Sequence, residues 1–537
     1  MPELPNEIPV LVAGGGPVGL AAAIELGQRG IDCLVLEPRQ AVSYDRPRAK
    51  TTSVRTMEHF RRWGLAEHIR EVAPVPVAWS QEVVFCTSLL GQEITRIHDC
   101  FGLVPNRHDE FAESGQQIAQ PLVEQVMREA LGGLPCVTFA TGWSLAGLEE
   151  GVDGVLVRAS AQDGSTREVR AAFVLGCEGS TSPTRAAIGV RYTGDSDLRP
   201  NFNTVFRAPG LAERVPHGPA VHYWVVNATT PGVVGRLDLV GMWWSISMGV
   251  DAATGNRDPY RHIRGLIGAE ADVEVVSTDP WTARMLLASC YQSERVFLAG
   301  DAAHLNPPWG GHGFNTGIGD AVNIGWKLAA TLEGWGGPAL LRSYEAERRP
   351  VAQQTIEDAT ANMNVLSTEL AAMADDADAI RRAKDSEFHS LGLVLGYAYW
   401  DSPIVVPDGT SAPIHDPRVY RPSTRPGARL PHTWLPDGRS LYDALGRDLS
   451  LVRLSRTADA APFVAAAQAH ALPLTVVDLS DLGLGERYAA NLLLVRPDQH
   501  VAWRSADGQV TDQDTHTVLD RVVGGVSAPV VRSGSVG

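Results

Sequence analysis

The sequence predicts an α/β fold: a parallel-sheet domain, an inserted and mostly antiparallel β-sheet, and a small C-terminal α/β domain. Three observations predict it. Residues 8–37 read as strand, glycine turn, helix, strand. From Tyr192 to about Ala283 the pattern changes to alternating residues rich in Trp, Tyr and Val. A Pro- and Asp-rich stretch, Ser402 to Pro436, then precedes a final run of short strands and helices.

Each element has a local cause. Ile8–Ala13 is short, apolar and β-rich, and Gly14, Gly15 and Gly16 follow it. Pro17–Arg29 shows helical spacing through Leu20, Ala23, Ile24 and Leu26, and Gly30 closes it. Asp32–Glu37 is a second buried-type strand, completing a β-α-β unit. Gln120–Leu131 is an amphipathic helix, Val137–Val169 a Gly-punctuated β region, and Phe173–Cys177 another buried strand. Val221–Val226 and Met242–Met248 carry the alternation of the inserted sheet. Val296–Ala299 returns to a buried strand, and a long helix runs from about Thr316 to Leu332, with more helix to about Leu393. Ser402–Pro436 reads as a linker wrapping the surface. Beyond it, Leu449–Ser455 and Leu474–Leu479 are strands around the helix Ala458–Ala471. A hairpin turns at Pro497-Asp498, Thr515–Val523 is a closing helix, and Ser527–Gly537 is a frayed tail. The domains expected are therefore 1–75, 103–190 and 285–395 as one discontinuous unit, 76–102 and 191–284 as the sheet, 396–436 as linker, and 437–537 as the tail domain.

Composition narrows the function. A chain of 537 residues exceeds one ordinary domain. A formal net charge of −16 argues against a nucleic-acid partner. Six cysteines, none in a CxxC pair, suit a reducing, cytoplasmic setting and no metal site. No leader pattern and no run of about 18–20 apolar residues is seen, so no membrane association is expected.

Gly14-x-Gly16-x-x-Gly19, with Glu37 eighteen residues on, is a Rossmann-like dinucleotide fingerprint. Gly14 permits the tight turn, Gly16 lets backbone approach a diphosphate, and Gly19 lets helix and strand pack closely. Pro17 starts the helix whose N-terminus attracts the anion. Glu37 can accept from ribose hydroxyls, and Arg39 is counted with it. A second motif runs Ala299-Gly300-Asp301-Ala302-Ala303-His304, Pro307-Pro308, then Gly310-Gly311-His312-Gly313-Phe314-Asn315-Thr316. Asp301 can bind the hydroxyls of a ribityl chain, which makes FAD the dinucleotide. The amides opening the long helix, around Gly311, Gly313, Phe314 and Asn315, would face charge on a reduced flavin. The bland alternative is a plain strand-turn-helix capped by Thr316.

These strings, with DAVNIGWKLA and SYEAERRP, resemble class A flavoprotein aromatic hydroxylases, the family of para-hydroxybenzoate, phenol, chlorophenol and polyketide hydroxylases. The resemblance extends to Leu492–Arg504, similar to the thioredoxin-like tail of the larger phenol-hydroxylase subgroup. That tail has no cysteine here, so packing or oligomer contacts are its expected role. Cys177-Glu178-Gly179-x-x-Ser182-x-x-Arg185 resembles a family motif that touches FAD and NAD(P)H, with Glu178 where Asp is usual and Thr184 where an apolar residue is usual. Arg48 and Gln120 resemble family residues beside the cofactor. Lys50 sits where some relatives place a substrate-side acid.

The resemblance implies a monooxygenase that uses NADPH or NADH and O₂, hydroxylating a phenolic or polyketide-type ring through a flavin C4a-hydroperoxide. No second GxGxxG is present, so NAD(P)H would bind transiently. The inserted sheet is the expected substrate platform, with His222, Tyr223, Trp243 and Trp244 as candidates and His222 as the phenol base. Pro308 and Gly313 would shape the flavin and oxygen pocket. Alternatives are a Baeyer–Villiger oxygenase, a flavin-dependent reductase, a halogenase (whose WxWxIP segment Trp243-Trp244 does not match) and a non-catalytic aromatic binder. A homodimer is the expected assembly.

Overall fold

The computed structural model describes residues 3–365, 370, 372–373, 375–508 and 510–525, so the expected frayed end lies outside the described residues. Its first sheet has seven strands. Val137–Thr141, Cys33–Glu37, Glu7–Ala13, the second half of Thr166–Gly176, and Val296–Leu298 run parallel in that spatial order. Numbered along the chain, these are third, second, first, fourth and fifth, the order of a doubly wound sheet. Side-chain alternation sends Val10 and Val12 to the helical layer, and Leu11 and Ala13 to the opposite layer of Trp143, Val155 and Val157. Thr166–Gly176 is longer than expected. Its first half pairs antiparallel with Gly154–Ala161 before its second half joins the parallel sheet.

The second sheet has eight strands, ordered His304–Leu305, Glu274–Ala288, Tyr192–Arg207, Met242–Met248, Gly232–Arg236, His222–Val225, Val83–Cys86, Glu93–Ile97. Only His222–Val225 with Val83–Cys86 is parallel. The period-two pleat gives it two unlike faces. One face carries Phe206, Tyr223, Val234 and Trp243 and is covered by the helix Pro259–Ile267. The other, called here the inner face, carries Trp224, Val233, Trp244 and Ile246 and meets Trp309 and Phe388.

The tail is a four-stranded sheet, Leu474–Asp478, Leu449–Arg453, Leu492–Val495 and Val501–Ser505, flanked by helices Ala461–Ala469 and Asp512–Val522. Its order of strand, helix, strand, two-stranded hairpin and helix is that expected of a thioredoxin-like unit. The hairpin turn at 496–499 is buried. Arg496 pairs with Glu347 at 2.6 Å and with Asp498 at 2.6 Å, against the helix Pro338–Asn364.

Two expectations need correction. Ala428–His432 is buried instead of wrapping the surface, because Arg429 pairs with buried Glu58 and Leu430 packs into the tail core. The long helix begins at His312, four residues earlier than expected. Gly311, at φ +71°, is its N-cap, and Thr316 is internal, donating its hydroxyl to the His312 carbonyl at 3.0 Å.

Candidate active site

The carboxyl ends of three adjacent strands, Glu7–Ala13, Thr166–Gly176 and Val296–Leu298, carry the three motifs. Strand order reverses between the first two, which is where open α/β sheets hold ligands. Thus residues 14–19, 177–185 and 299–304, far apart in sequence, share one edge of one sheet.

The glycines behave differently from one another. Gly14 has φ +98°, and a Cβ there would lie 2.5 Å from the Cys177 carbonyl oxygen. A Cβ on Gly19 would lie 1.9 Å from the Gly14 carbonyl oxygen. A Cβ on Gly16 would meet nothing within 4 Å. Gly16 thus borders open space, directly before the helix Pro17–Gly27. Its carbonyl already accepts the Leu20 N–H, while Pro17 has no N–H, so the amides of Val18 and Gly19 remain to meet an anion. Glu37 accepts from Gly15 N–H at 2.9 Å and from Arg39 Nε at 2.7 Å, and Arg39 also reaches Glu124 at 3.0 Å. A ribose diol reaching Glu37 would take the place of the Arg39 guanidinium, whose side chain is 43% exposed.

The 299–304 turn is held from behind. Buried Asp320 accepts from Gly300 N–H at 3.0 Å, contacts His304 Nε2 at 2.9 Å, and accepts from Arg348 Nε at 2.8 Å. Arg185 donates to the Ala302 carbonyl at 3.0 Å and stacks over Tyr192, whose hydroxyl donates to the Asp301 carbonyl. The Asp301 carboxylate itself takes no hydrogen bond among the described residues. Desolvation raises its pKa, against the pull of His304 and Arg48. Gly313, at the start of the long helix, also borders open space. A diphosphate cradle at one end, an uncommitted carboxylate at the other and a helix N-terminus between them fit FAD.

Other expected cofactor residues have different tasks. Glu178 spends both oxygens on its own turn, accepting from Ser182 Oγ at 2.7 Å and from the backbone and hydroxyl of Thr184. Glu178 and Thr184 therefore satisfy each other within that turn. Gly179 supplies the left-handed turn there, at φ +85°. Asn315 is a stitch: its Oδ1 accepts from Ser53 N–H at 2.9 Å and its amide donates to the Gly311 carbonyl at 2.7 Å. Phe314 packs on the helical layer. Gln120 donates its backbone N–H to Ala49 at 2.8 Å, holding the segment that carries Arg48. Pro308 is exposed, and its carbonyl accepts the Gly311 N–H at 3.0 Å, so it forms the turn. Its neighbour Trp309 is the buried wall, edge-on to Trp281 at 5.6 Å.

The substrate-side candidates divide by face. His222 and Trp244 lie on the inner face, ring centroids 6.0 Å apart, with Phe101 and Phe388 beside His222. Tyr223 and Trp243 point the other way, a correction that strand alternation requires. Tyr223 is buried there and donates to the Gly218 carbonyl at 2.6 Å. His222 is held neutral: desolvation, then the Lys50 and Lys384 charges, push it down to about 3. That makes it a poor acceptor for a phenol proton. The inner face also borders a small pocket lined by Arg48, Lys50, Asn203 and Trp244, with Asp45, Arg46 and Asp279 around it. Trp281 Nε1 donates to Asn203 at 2.7 Å. Gln117 Oε1 and the Nε1 atoms of Trp244 and Trp309 are buried without a partner. Sequence reasoning missed Asp320, Arg348 and Gln117. The first two stood inside the quoted strings DAVNIGWKLA and SYEAERRP, and Gln117 had no local signal.

A family model described as FAD binding domain matches residues 7–359, and one described as aromatic-ring hydroxylase, C-terminal, matches residues 423–525. The chain belongs to the FAD-dependent aromatic-ring hydroxylases. Tetracenomycin B2 monooxygenase-dioxygenase of Streptomyces olivaceus is 34% identical over 97% of this chain and 99% of its own length. The 2,4-dichlorophenol 6-monooxygenase of Delftia acidovorans is 31% identical over 96% and 98%. The rebeccamycin biosynthetic enzyme RebC, solved with reduced flavin, is 32% identical with a TM-score of 0.87 over 97% of this chain and 100% of that one. This hydroxylase is thus an FAD-dependent monooxygenase using NAD(P)H and O₂, and the likenesses do not favour the Baeyer–Villiger or reductase alternatives. Among the described residues no helix is long and apolar enough to cross a membrane.

Proposed function

We propose that the chain hydroxylates a phenolic or polyketide-type aromatic compound held on the inner face of the eight-stranded sheet. The observation that carries this is Arg48. It lines the inner-face pocket with Trp244 and Asn203, and its charge acts on Asp301 at the cofactor turn. Substrate space and cofactor space are therefore neighbours.

FAD bound at the three strand ends would supply the redox chemistry, taking electrons from NAD(P)H and activating O₂. The residues of the chain position and shield. Val18 and Gly19 amides bind the diphosphate, and Asp301 binds the ribityl hydroxyls. Trp244, Trp281 and Trp309 exclude water and stack on the ring, and the unpartnered Gln117 Oε1 orients a polar substituent. His222, neutral at working pH, is part of that aromatic wall. In this reading segments 1–75, 103–190 and 285–395 hold the cofactor, 76–102 and 191–284 hold the substrate, 396–436 link, and 437–537 brace the long helices. The setting is the cytoplasm, which the six free cysteines suit. The test is a panel of phenols and polyketides with NADH or NADPH. One class should stimulate NAD(P)H consumption and emerge one oxygen heavier. Reduction without oxygen uptake, or halogen incorporation, overturns the assignment.

A further inference from the structure

One amine looks into the inner-face pocket. Lys50 leads into the short strand Thr51–Thr52, and its carbonyl accepts the Ile118 N–H at 2.9 Å, which fixes where its side chain starts. Its Nζ lies 4.4 Å from the centroid of the Trp244 ring. The acid whose field it feels, Asp279, is engaged by Arg46. Among the described residues no carboxylate lies within ion-pair reach of Lys50. Asp45 and Asp279 also line the pocket, but neither pairs with Lys50, and a shielded ammonium without an ion pair is costly unless a ligand supplies one.

We propose that Lys50 is the counter-ion of the substrate: in its neutral form the amine takes the proton of a ring hydroxyl, and the ammonium so formed holds the phenolate against Trp244. The phenol O–H bond breaks, the N–H bond forms, and the electron pair stays on oxygen. The step selects aromatic substrates that carry an acidic hydroxyl, and it rests on the hydroxylase reading above.

Basicity favours this residue over His222. Desolvation lowers Lys50 to about 8, partly offset by Asp279, whereas His222 is held near about 3. The amine is therefore the stronger base of the two, and closer to a phenol at about 10. Of the other charged groups around this site, Lys384 donates to Glu387 at 2.7 Å and Arg46 pairs with Asp279, while Arg48 also lines the pocket and acts on Asp301 through its charge without a direct contact.

The test uses calorimetric titration of the FAD-loaded protein with 4-nitrophenol, ionised through the relevant range, and with 4-nitroanisole, which has no acidic proton. Wild type should bind the nitrophenolate with an affinity that falls about tenfold per pH unit above pH ~8, as Lys50 loses its proton. Lys50→Met should bind nitrophenolate at least tenfold more weakly at neutral pH, and nitroanisole within threefold of wild type. Lys50→Arg should keep the tight binding and lose the fall above pH ~8, since guanidinium stays charged. Equal nitrophenolate affinity in Lys50→Met, an unchanged profile in Lys50→Arg, equal losses for both ligands, or no binding of nitrophenolate to wild type each overturns the proposal. FAD content is read first from absorbance, so a protein that takes up no FAD refutes the hydroxylase reading and is recognised as such.

Discussion

Gly16→Val separates the cofactor from the fold. Gly16 has φ −75° and ψ −179°, which any residue adopts, and a Cβ there meets no atom within 4 Å. The apo protein should therefore tolerate valine, at a cost of about 1 kcal/mol or less for an unfavourable N-cap residue. The isopropyl group would instead fill the space before the Val18 and Gly19 amides. Charge-assisted hydrogen bonds are worth about 1.5–3 kcal/mol each, so losing two weakens FAD binding by roughly 3–6 kcal/mol, about 10²–10⁴-fold. Gly19→Val is the contrasting variant, because its Cβ would overlap the Gly14 carbonyl and break the strand–helix contact. The assay pairs thermal unfolding of the apo proteins with FAD titration. A Gly16→Val protein that binds FAD within threefold of wild type, or that unfolds as early as Gly19→Val, refutes the reasoning.

Three further outcomes are expected. Asp301→Ala should weaken FAD binding by about 10–100-fold and leave apo stability nearly unchanged, since the carboxylate has no protein partner to lose; equal losses in both measurements contradict this. Tyr223→Phe should cost about 1 kcal/mol of stability through its bond to Gly218 and leave aromatic-ligand affinity unchanged, whereas Trp244→Ala should weaken ligand binding markedly. Glu25 is fully buried; desolvation raises its pKa, but the Arg62 and Arg29 charges outweigh it and hold it at about 2, against 4.5 ordinarily. Its contribution, roughly 3 kcal/mol, is complete above pH ~4.5 and is lost as pH falls toward ~2. Denaturant midpoints between pH 6 and 3 should therefore steepen in wild type relative to Glu25→Gln.

The fold was legible where sequence signals are local. The βαβ unit, the Gln120–Leu131 helix and the alternating Met242–Met248 strand owe their form to spacing within one element. The same alternation, applied to His222-Tyr223 and Trp243-Trp244, separates each pair onto opposite faces, so only one member of each could line the site. What stayed hidden were partners brought together by topology. Asp320 and Arg348 hold the Gly300 turn from two different helices. Glu178 and Thr184 satisfy each other. Arg429 gains its reason for burial only from Glu58, which lies 371 residues away. For the cysteine-free tail the sequence pointed only to packing or oligomer contacts. In space its hairpin seats Arg496 and Asp498 against Glu347 and Asn323, bracing the helices behind the cofactor turn.

The central claim is oxygen transfer from O₂ to an aromatic ring at a site shared by the FAD cradle and the inner sheet face. Turnover under heavy-isotope O₂, with a substrate found in the phenol and polyketide panel, tests it directly by product mass. The account predicts one heavy oxygen per product, lost in parallel with FAD in Gly16→Val. Oxygen drawn from water, or product formed by protein free of FAD, contradicts it.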